Sequence, residues 1–289
     1  MPEGDTLYRT AAGLRPYLVG RAVTAARAQG PGPVPQVHRI VGRTIEAVES
    51  VGKNLIIRFD GGLELRTHLR MNGSWHRYQP GERWRRPPSR ARLVLEVPGA
   101  VAVCFDAPVV ELLETRAEAL HPALGRLGPD LLADDFDAAE AHRRLRDPSR
   151  ADMEIAVALL DQRGLAGIGN VYKNEILWIE RVSPFTRVAD VDDETLDRLV
   201  GTARRLLVAN VTRTSGPERV TTAGDRGAPG PVYVYGRGGR PCRRCRTPIG
   251  STQQGGDLPR TTYWCPTCQG EVQDSVDATS TRVIGTFST

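Results

Sequence analysis

Residues 165–178 are LAGIGNVYKNEILW, a stretch that joins two helical patterns through a glycine-rich turn. Gly167 and Gly169 stand in the turn, and Asn170 opens the second helix. Backbone N–H groups at the start of a helix lack intrahelical partners, so this turn suits an anion such as a phosphate. Asn170 fits two roles, as the N-cap of the helix or as a ligand of the anion. The stretch therefore predicts a helical domain with an anion site at the turn.

Helical spacing of apolar residues continues on both sides of the turn. The patterned segments are 136–146, 152–162, 170–180 and 194–210. Segment 214–231 is dense in turn-forming residues and is expected to be a mobile loop. We therefore predict a helical domain at 131–231, preceded by a linker at 122–130 in which proline and glycine interrupt the pattern.

The residues before this linker predict a different architecture. Residues 3–19 have the spacing of an amphipathic helix, and short alternating apolar runs follow. Turn signals at Gly61–Gly62 and Pro98–Gly99 separate these runs. The pattern indicates an antiparallel β-sandwich at 1–121, and the whole chain is expected to be an α+β multidomain protein.

A small cysteine module is predicted at 232–273. Its two Cys-x2-Cys pairs, separated by nineteen residues, are Cys242, Cys245, Cys265 and Cys268. This spacing fits a tetrahedral thiolate site, and four thiolates leave no position for water, so we predict one structural Zn²⁺ in a zinc-finger hairpin. The alternative is unpaired or disulfide-bonded cysteines, which a cytosolic compartment disfavours. Residues 232–242 predict a strand and turn entering the module, and 274–289 predict a frayed tail.

Composition limits the class of protein. No stretch approaches the ~20 consecutive apolar residues of a membrane span, and charged residues occupy the region where a signal peptide would be apolar. We therefore expect a cytoplasmic protein without a membrane partner, and nothing in the sequence suggests more than a monomer. The net charge is +5, and segment 237–246 holds five arginines in ten residues. This density favours a polyanionic partner, with a solvated charged face as the alternative.

Three residues draw attention as candidate reactive groups. The chain begins MPEGDT, and removal of the initiator methionine would leave Pro2 with a free secondary amine, a potential nucleophile. Of the 39 basic residues only Lys53 and Lys173 are lysines. A lysine in a chain so biased towards arginine invites a chemical explanation, although codon bias alone would also produce the skew.

The motifs occur in a characteristic order along the chain. They are PEG at the start, VGKN, THLRMNG, GIGNVYKNE, VYGRGGRPCRRC and PRTTYWCPTCQ. Together they resemble the formamidopyrimidine-DNA glycosylase and endonuclease VIII family of base-excision repair enzymes, and the likeness extends from Pro2 to Gln269. The resemblance implies an N-terminal β-sandwich, a helix-two-turn-helix domain and a zinc finger. Damaged double-stranded DNA, and also single-stranded or abasic DNA, would lie in the cleft between the domains.

The resemblance also implies a catalytic group. Pro2 would be the nucleophile, Glu3 its acid/base partner, and Lys53 a turn lysine near the target nucleotide. The neutral Pro2 nitrogen would attack the sugar C1′ and form an iminium whose charge assists loss of the 3′ and then the 5′ phosphate. Taken alone, Glu3 fits equally the first turn of a helix, where it favours the dipole. Lys53 alone fits a solvent-exposed turn.

Further residues would bind DNA by the same resemblance. His68, Asn170 and Arg260 match residues that hold phosphates around the lesion, and a packed histidine is the alternative for His68. The end of the THLRMNG run offers a wedge for the gap left by the extruded nucleotide. Its residues are Arg70, Met71 and Asn72. The competing interpretation places Met71 in the sandwich core.

Departures from the family pattern indicate the substrate. In the branch that acts on oxidised purines, an Arg and a Phe are expected shortly after an Asp, and neither follows Asp106 within 105–114 here. The opening PEGD and the short loop at 214–231 point the same way. We therefore expect the endonuclease VIII branch and oxidised pyrimidines, with oxidised purines as the alternative. Residues 253–259 lengthen the zinc hairpin and could displace Arg260 along it.

Two hypotheses from other classes stay open. A non-catalytic protein that binds lesion DNA would keep the cleft and the zinc finger but would not catalyse a reaction. An unprocessed methionine would block the Pro2 amine. A zinc-ribbon protein that binds RNA is the third candidate, but it would leave the PEGD opening unexplained.

Overall fold

The alternating apolar runs near the N-terminus form two antiparallel sheets. This is seen in a computed structural model, which describes residues 2–212, 219–222, 230–256 and 258–270. The elements of this part are α1 (Gly4–Leu18), β1 (Ala25–Ala28), β2 (Ile45–Val51), β3 (Asn54–Phe59), β4 (Leu63–His68), β5 (Ser74–Tyr78), β6 (Ala91–Val97), β7 (Ala100–Phe105) and β8 (Val109–Glu114). One sheet has the order β1-β6-β7-β5 and the other β2-β3-β4-β8.

The two sheets and α1 share one apolar core. Strands β3 and β7 are buried along most of their length because both of their faces are covered. Leu7 and Leu14 of α1 join this core, and Arg15 donates to the Val48 carbonyl of β2 at 3.0 and 3.2 Å. Helix α1 is therefore fixed on the sandwich, and its first residue points towards the helical domain.

The helical domain has a core of its own. Its helices are α2 (Ala138–Leu145), α3 (Ile155–Ala158), α4 (Asn170–Ile179) and α5 (Asp193–Thr212). Tyr172 and Ile176 of α4 pack with Leu199 and Leu206 of α5. Nine of the ten residues of α4 are buried, from Asn170 to Trp178, so this helix lies at the centre of the domain. Its position allows it to contact both other parts of the chain.

The cysteine module consists of β9 (Gly250–Gln254), β10 (Arg260–Trp264) and α6 (Pro266–Gln269). The two strands pair antiparallel, from Arg260 opposite Gln254 to Trp264 opposite Gly250. A small core joins the module to Trp178 of α4. With this third part, the predicted α+β fold of sandwich, helical domain and cysteine hairpin is confirmed.

The strand predicted within 232–242 is wrong. The carboxylate of Glu175, which is fully buried, accepts hydrogen bonds from the backbone N–H groups of Tyr233, Val234 and Tyr235 at 2.7 to 2.8 Å. Donors that converge on one carboxylate cannot alternate along a strand ladder, so the segment bends around the end of this side chain.

Several predictions lie partly or wholly outside the described residues. Most of the loop predicted at 214–231 and the tail predicted at 274–289 belong to them. The division into 1–121, 131–231 and 232–273 stays a prediction, although separate apolar cores occupy these ranges. Among the described residues no helix combines the length and the apolar character needed to cross a membrane.

Candidate active site at the start of the chain

The carboxylate of Glu3 binds the first turn of α4. Its oxygens accept hydrogen bonds from the backbone N–H groups of Gly169 at 3.0 Å and Val171 at 2.8 Å. The N–H of Gly4 donates to the Gly167 carbonyl at 2.9 Å, which draws the start of α1 onto the same turn. Glu3 is fully buried. The anion predicted for the glycine turn is therefore a side chain of the protein itself.

This contact corrects two interpretations of the sequence. Glu3 does not act on the dipole of its own helix alone, because its carboxylate lies at the N-terminus of α4, 166 residues away in sequence. Asn170 is not the N-cap: that position is Gly169, and Asn170 is the first residue of the helix. The carboxylate takes the N–H groups that an N-cap side chain would otherwise bind.

Close approach explains the glycine at 169. A Cβ at this position would lie 2.3 Å from Cδ of Glu3, which is far inside van der Waals contact. At Gly4, a Cβ would lie 3.0 Å from Cα of Gly167. The absence of a side chain at Gly169 thus leaves room for the Glu3 carboxylate, and its absence at Gly4 allows α1 to approach the glycine turn closely. Pro2, which directly precedes Glu3, is thereby held at the junction of the sandwich and the helical domain, and Met1 lies outside the described residues.

Asn170 contacts the cysteine hairpin. Its Nδ2 donates to the Thr261 carbonyl at 2.9 Å, and its Oδ1 is buried without a hydrogen-bond partner in the described part of the chain. A buried polar atom without a partner is unusual and calls for an explanation such as a ligand. The role of Asn170 in holding a phosphate stays a prediction.

One face of α4 docks strand β10 through polar side chains. Besides Asn170, Lys173 donates from Nζ to Thr262 Oγ1 at 2.7 Å, and Asn174 Oδ1 accepts from the Tyr263 N–H at 2.7 Å. Side chains three and four residues apart share one face of a helix, so three successive strand residues are held in register. This seam places Arg260, the first residue of β10, next to the start of α4.

Both lysines of the chain lie near Glu3. Lys53 occupies the turn between β2 and β3 and is half-buried, not solvent-exposed. Desolvation lowers the pKa of Lys53 to about 8, with Glu3 opposing the shift and Arg260 adding to it. Desolvation also lowers the pKa of Lys173 to about 7, again opposed by Glu3. The rarity of lysine in this arginine-rich sequence therefore pointed to Lys173 as well, although no role in the site was predicted for it.

His68 ends strand β4 close to Lys53. Its Nδ1 accepts a hydrogen bond from the Arg70 N–H at 3.2 Å. Desolvation, with the positive charges of Arg66 and Lys53, lowers the pKa of His68 to about 4, so the imidazole is neutral at pH 7. The three basic residues Lys53, His68 and Arg70 line one cavity of about 330 Å³. Such a neutral imidazole would bind a phosphate by donating from Nε2, and this role stays a prediction.

The wedge candidates form an exposed turn after β4. Arg70 has a φ of 45°, in the left-handed region, and Met71 is 53% exposed. The interpretation that placed Met71 in the sandwich core is therefore wrong. Asn72 is also exposed. Exposure of an apolar side chain at a turn is compatible with insertion into DNA, and the wedge stays a prediction.

The four paired cysteines form one cluster. All four Sγ atoms lie within 4.8 Å of one another, with Cys245 and Cys265 3.3 Å apart and Cys242 and Cys268 4.0 Å apart. Zinc–sulfur bonds of ~2.3 Å in a tetrahedron place sulfurs ~3.8 Å apart, so the cluster fits a metal ion. Cys104, in contrast, is buried in β7 far from this group in the fold.

Two charged residues beside Glu3 were not predicted as site residues from the sequence. Asp5 lies in the first turn of α1 and is 2% exposed. Arg219 forms an ion pair with it, and Arg219 comes from the segment that composition marked only as a loop. No local pattern links residues so far apart, so only the fold shows that they meet.

Comparisons with known proteins agree with this architecture. The family model of the formamidopyrimidine-DNA glycosylase N-terminal domain matches residues 1–108, and that of its H2TH domain matches 127–221. A probable endonuclease 8 2 of Streptomyces coelicolor is 44% identical over 272 residues, covering 93% of this chain and 94% of the relative. The DNA-(apurinic or apyrimidinic site) lyase Nei2 of Mycolicibacterium smegmatis is 39% identical over 272 residues, covering 93% and 99%.

Solved structures show the same fold at greater distance. Lactococcus lactis Fpg in complex with DNA containing an abasic site aligns with a TM-score of 0.77 at 22% identity, covering 93% of this chain and all of that one. The fold and the site thus define a class of protein that combines a sandwich, a helix-two-turn-helix unit and a cysteine hairpin. The chain belongs to the formamidopyrimidine-DNA glycosylase and endonuclease 8 family, and the resemblance to it is confirmed.

Replacement of Gly169 by Ala is expected to lower the free energy of unfolding by ~1–3 kcal/mol, because the added Cβ would overlap Glu3. Urea unfolding measures the change. Gly13→Ala is the matched control, since its Cβ meets nothing within 4 Å and alanine favours the helix by up to ~1 kcal/mol. Equal effects of the two substitutions would contradict the close contact.

Lys173 is expected to make stability rise with pH. Its pKa falls from 10.5 to about 7 on folding, so between these values the unfolded chain binds more protons than the folded chain. The charged lysine costs stability below the folded pKa, and the cost disappears as pH rises. The wild-type free energy of unfolding minus that of Lys173→Met should therefore increase with pH, by at most ~1.4 kcal/mol per unit. The exposed Arg187→Met should show a flat difference; an equally flat one for Lys173→Met would refute the shift.

Proposed function

We propose that this bifunctional DNA glycosylase and AP lyase of base-excision repair removes oxidised pyrimidines through a Schiff base on Pro2. The family assignment carries the activity, and the carboxylate of Glu3 at the N-terminus of α4 carries the mechanism. This contact holds the residue next to Pro2 in one position, as a nucleophile at a chain terminus requires.

The proposed reaction begins with the neutral Pro2 nitrogen. It attacks the sugar C1′, the bond from C1′ to the base breaks, and the base leaves with a proton. The amine then loses its proton, the C1′–O4′ bond breaks as the sugar ring opens, and O4′ takes up a proton. The nitrogen becomes an iminium, which withdraws electrons and acidifies the proton on C2′. Loss of that proton expels the 3′ phosphate, and a second elimination expels the 5′ phosphate. Water then hydrolyses the adduct and restores the amine.

Glu3 and Lys53 are proposed to manage the protons of this sequence. An α-amine titrates near ~8, and cations nearby favour its neutral, reactive form. Lys53, whose own pKa lies at about 8, supplies such a charge next to Glu3. Glu3 would donate a proton to the opening sugar and accept protons during elimination. Its buried carboxylate stays in position for both because α4 holds it.

DNA binding is proposed to use both sides of the cleft. Asn170 and Arg260 would hold phosphates from the helical domain and the zinc hairpin, and His68 from the sandwich. Extrusion of a nucleotide costs a few kcal/mol, least where the base is poorly paired. Arg70, Met71 and Asn72 would fill the gap that it leaves. The orphaned Oδ1 of Asn170 and the exposure of Met71 support these assignments.

Oxidised pyrimidines are the preferred substrates. No Arg or Phe follows Asp106 within 105–114, where the purine branch is expected to have both, and relatives with the name endonuclease 8 match over 93% of the chain. Oxidised purines are the second candidate, because the solved neighbours include Fpg bound to DNA that contains Fapy-dG. At 22% identity those neighbours support the fold and not the lesion.

The metal is proposed to be one structural Zn²⁺. Four thiolates in a cluster prefer zinc, and zinc would stabilise the hairpin that presents Arg260. Cys242 and Cys245 would hold it from the turn before β9, and Cys265 and Cys268 from the start and end of α6. We further propose a monomer that acts in the cytoplasm on the nucleoid, where its DNA substrate lies.

Borohydride is expected to trap a covalent complex between the protein and abasic or thymine-glycol duplex DNA, because it reduces the iminium on Pro2. Denaturing electrophoresis and mass spectrometry of the N-terminal peptide detect the adduct. Pro2→Ala leaves a primary amine and is a poor control, so a variant with an added N-terminal residue that blocks the prolyl nitrogen serves instead. A processed protein that forms no adduct would reject the lyase mechanism.

Arg260→Ala is expected to weaken DNA binding and to lower the slope of log K against log salt by ~0.9, the value of one phosphate contact on duplex DNA. Fluorescence anisotropy at several salt concentrations measures the slope. Arg198→Ala is the control, because Arg198 of α5 is paired with Glu194 of the same helix and with Glu180, which follows α4. An unchanged slope for Arg260→Ala would mean that the lengthened hairpin has moved this residue from the backbone.

A further inference from the structure

Arg219 binds the first turn of α1 through its guanidinium group. Its Nε and Nη2 donate to the two carboxylate oxygens of Asp5 at 2.9 and 2.6 Å, and Nη2 also donates to Thr6 Oγ1 at 3.0 Å. Its Nη1 lies 3.8 Å from Oε1 of Glu3. The side chains of Arg219 and Asp5 are only 13% and 3% exposed. The guanidinium thus binds the turn that begins directly after Pro2.

The helical domain fixes the other side of this arginine. The guanidinium lies over the ring of Tyr172 in α4, 5.0 Å from its centroid. The next residue, Val220, exchanges hydrogen bonds with the side chain of Asn210 in α5, at 2.8 and 2.9 Å. Arg219 therefore connects α1 to both long helices of the neighbouring domain.

The two buried acids explain why an arginine is needed. The Glu3 carboxylate accepts hydrogen bonds from backbone N–H groups of α4, which are neutral donors and leave its negative charge in place. Asp5, two residues away, is also buried, and an unpaired buried charge strongly destabilises a fold. Arg219 offsets both charges. Its planar fork also fixes the direction of the bond, which the single point charge of a lysine would not.

We propose that Arg219 and Asp5 form a positioning pair, which holds the first turn of α1 and thereby aims the Pro2 nitrogen at the sugar. This inference rests on the proposed role of Pro2. Glu3 restrains the same turn at one point, and the pair adds a second point two residues further along. Two anchors two residues apart on one turn restrict rotation about either of them. The pair also gives Asp5 of the opening PEGD a physical role.

Arg219 has an electrostatic effect that a purely structural pair would lack. The charged groups facing Lys53 include Glu3, which raises its pKa, and Arg260 and Arg219, which lower it together with desolvation. The imidazole of His68 also lies near and is neutral. Removal of Arg219 should therefore raise the pKa of Lys53 and move the pH profile of the reaction upward.

The test uses the full-length protein with a processed N-terminus and compares Arg219→Met, Asp5→Asn and the double variant. Single-turnover borohydride trapping on abasic duplex DNA gives the rate, and anisotropy with a tetrahydrofuran-containing duplex gives Kd. Each single variant is expected to trap ~100-fold more slowly, the usual effect of a misplaced reacting group, with Kd nearly unchanged. The double variant should be no slower than the slower single one, because both remove the same bond.

Arg150→Met is the matched control. Arg150 and Asp161 form a pair at 3.0 Å with side chains 11% and 13% exposed, and Arg150 is not among the charges that shift Lys53. Trapping by this variant should stay near the wild-type rate, and its pH profile should not move. The Arg219→Lys variant keeps the positive charge but lacks the planar guanidinium that binds both oxygens of Asp5. It should therefore form the trapped complex slowly, with an unchanged pH profile.

The outcomes separate this inference from the proposed function. A wild-type protein that traps nothing would reject the Pro2 mechanism itself. If the wild type traps and Arg219→Met and Asp5→Asn trap equally fast, only the positioning pair is overturned. Equal slowing by Arg150→Met would assign the effect to lost stability and would overturn the pair as well. Asp5→Asn, nearly identical in shape, keeps the test valid if Arg219→Met does not fold.

Discussion

The hydrogen bonds between the Glu3 carboxylate and the first turn of α4 are the constraint on which the rest of the site depends. A helix N-terminus has unpaired N–H groups and a positive dipole, so it binds a carboxylate well even without solvent. Here the carboxylate comes from the first helix of another domain. One interaction therefore closes the junction between the domains and fixes the residue next to the chain terminus.

Several positively charged residues surround the buried Glu3 carboxylate. Lys53, Lys173 and Arg219 all lie within electrostatic range of Glu3, and desolvation lowers the pKa of both lysines. Desolvated amines near neutrality and a buried acid are the groups that proton transfer at pH 7 requires. The negative charge of Glu3 thus makes the burial of both lysines less costly, because it raises their pKa values against desolvation.

Helix α4 organises three parts of the molecule at once. Its start receives Glu3, one face docks strand β10 through Lys173 and Asn174, and Glu175 gathers the backbone N–H groups that precede the cysteine module. The helix is consequently buried over most of its length. Lys173, Asn174 and Glu175 stay in the interior because each has a partner supplied by another element. A single helix thereby connects the start of the chain, the hairpin and the core of the helical domain.

The sequence by itself determined the sandwich, the helical domain, the cysteine cluster and the family, because periodicity, cysteine spacing and motif order are local properties. It also indicated Pro2, Glu3 and Lys53. The tertiary structure alone decided that Glu3 and not Asn170 caps α4, that residues 232–242 form no strand, and that Arg219 meets Asp5. Each of these depends on a side chain from a distant segment taking a backbone group or a charge, and no local pattern records such a partner.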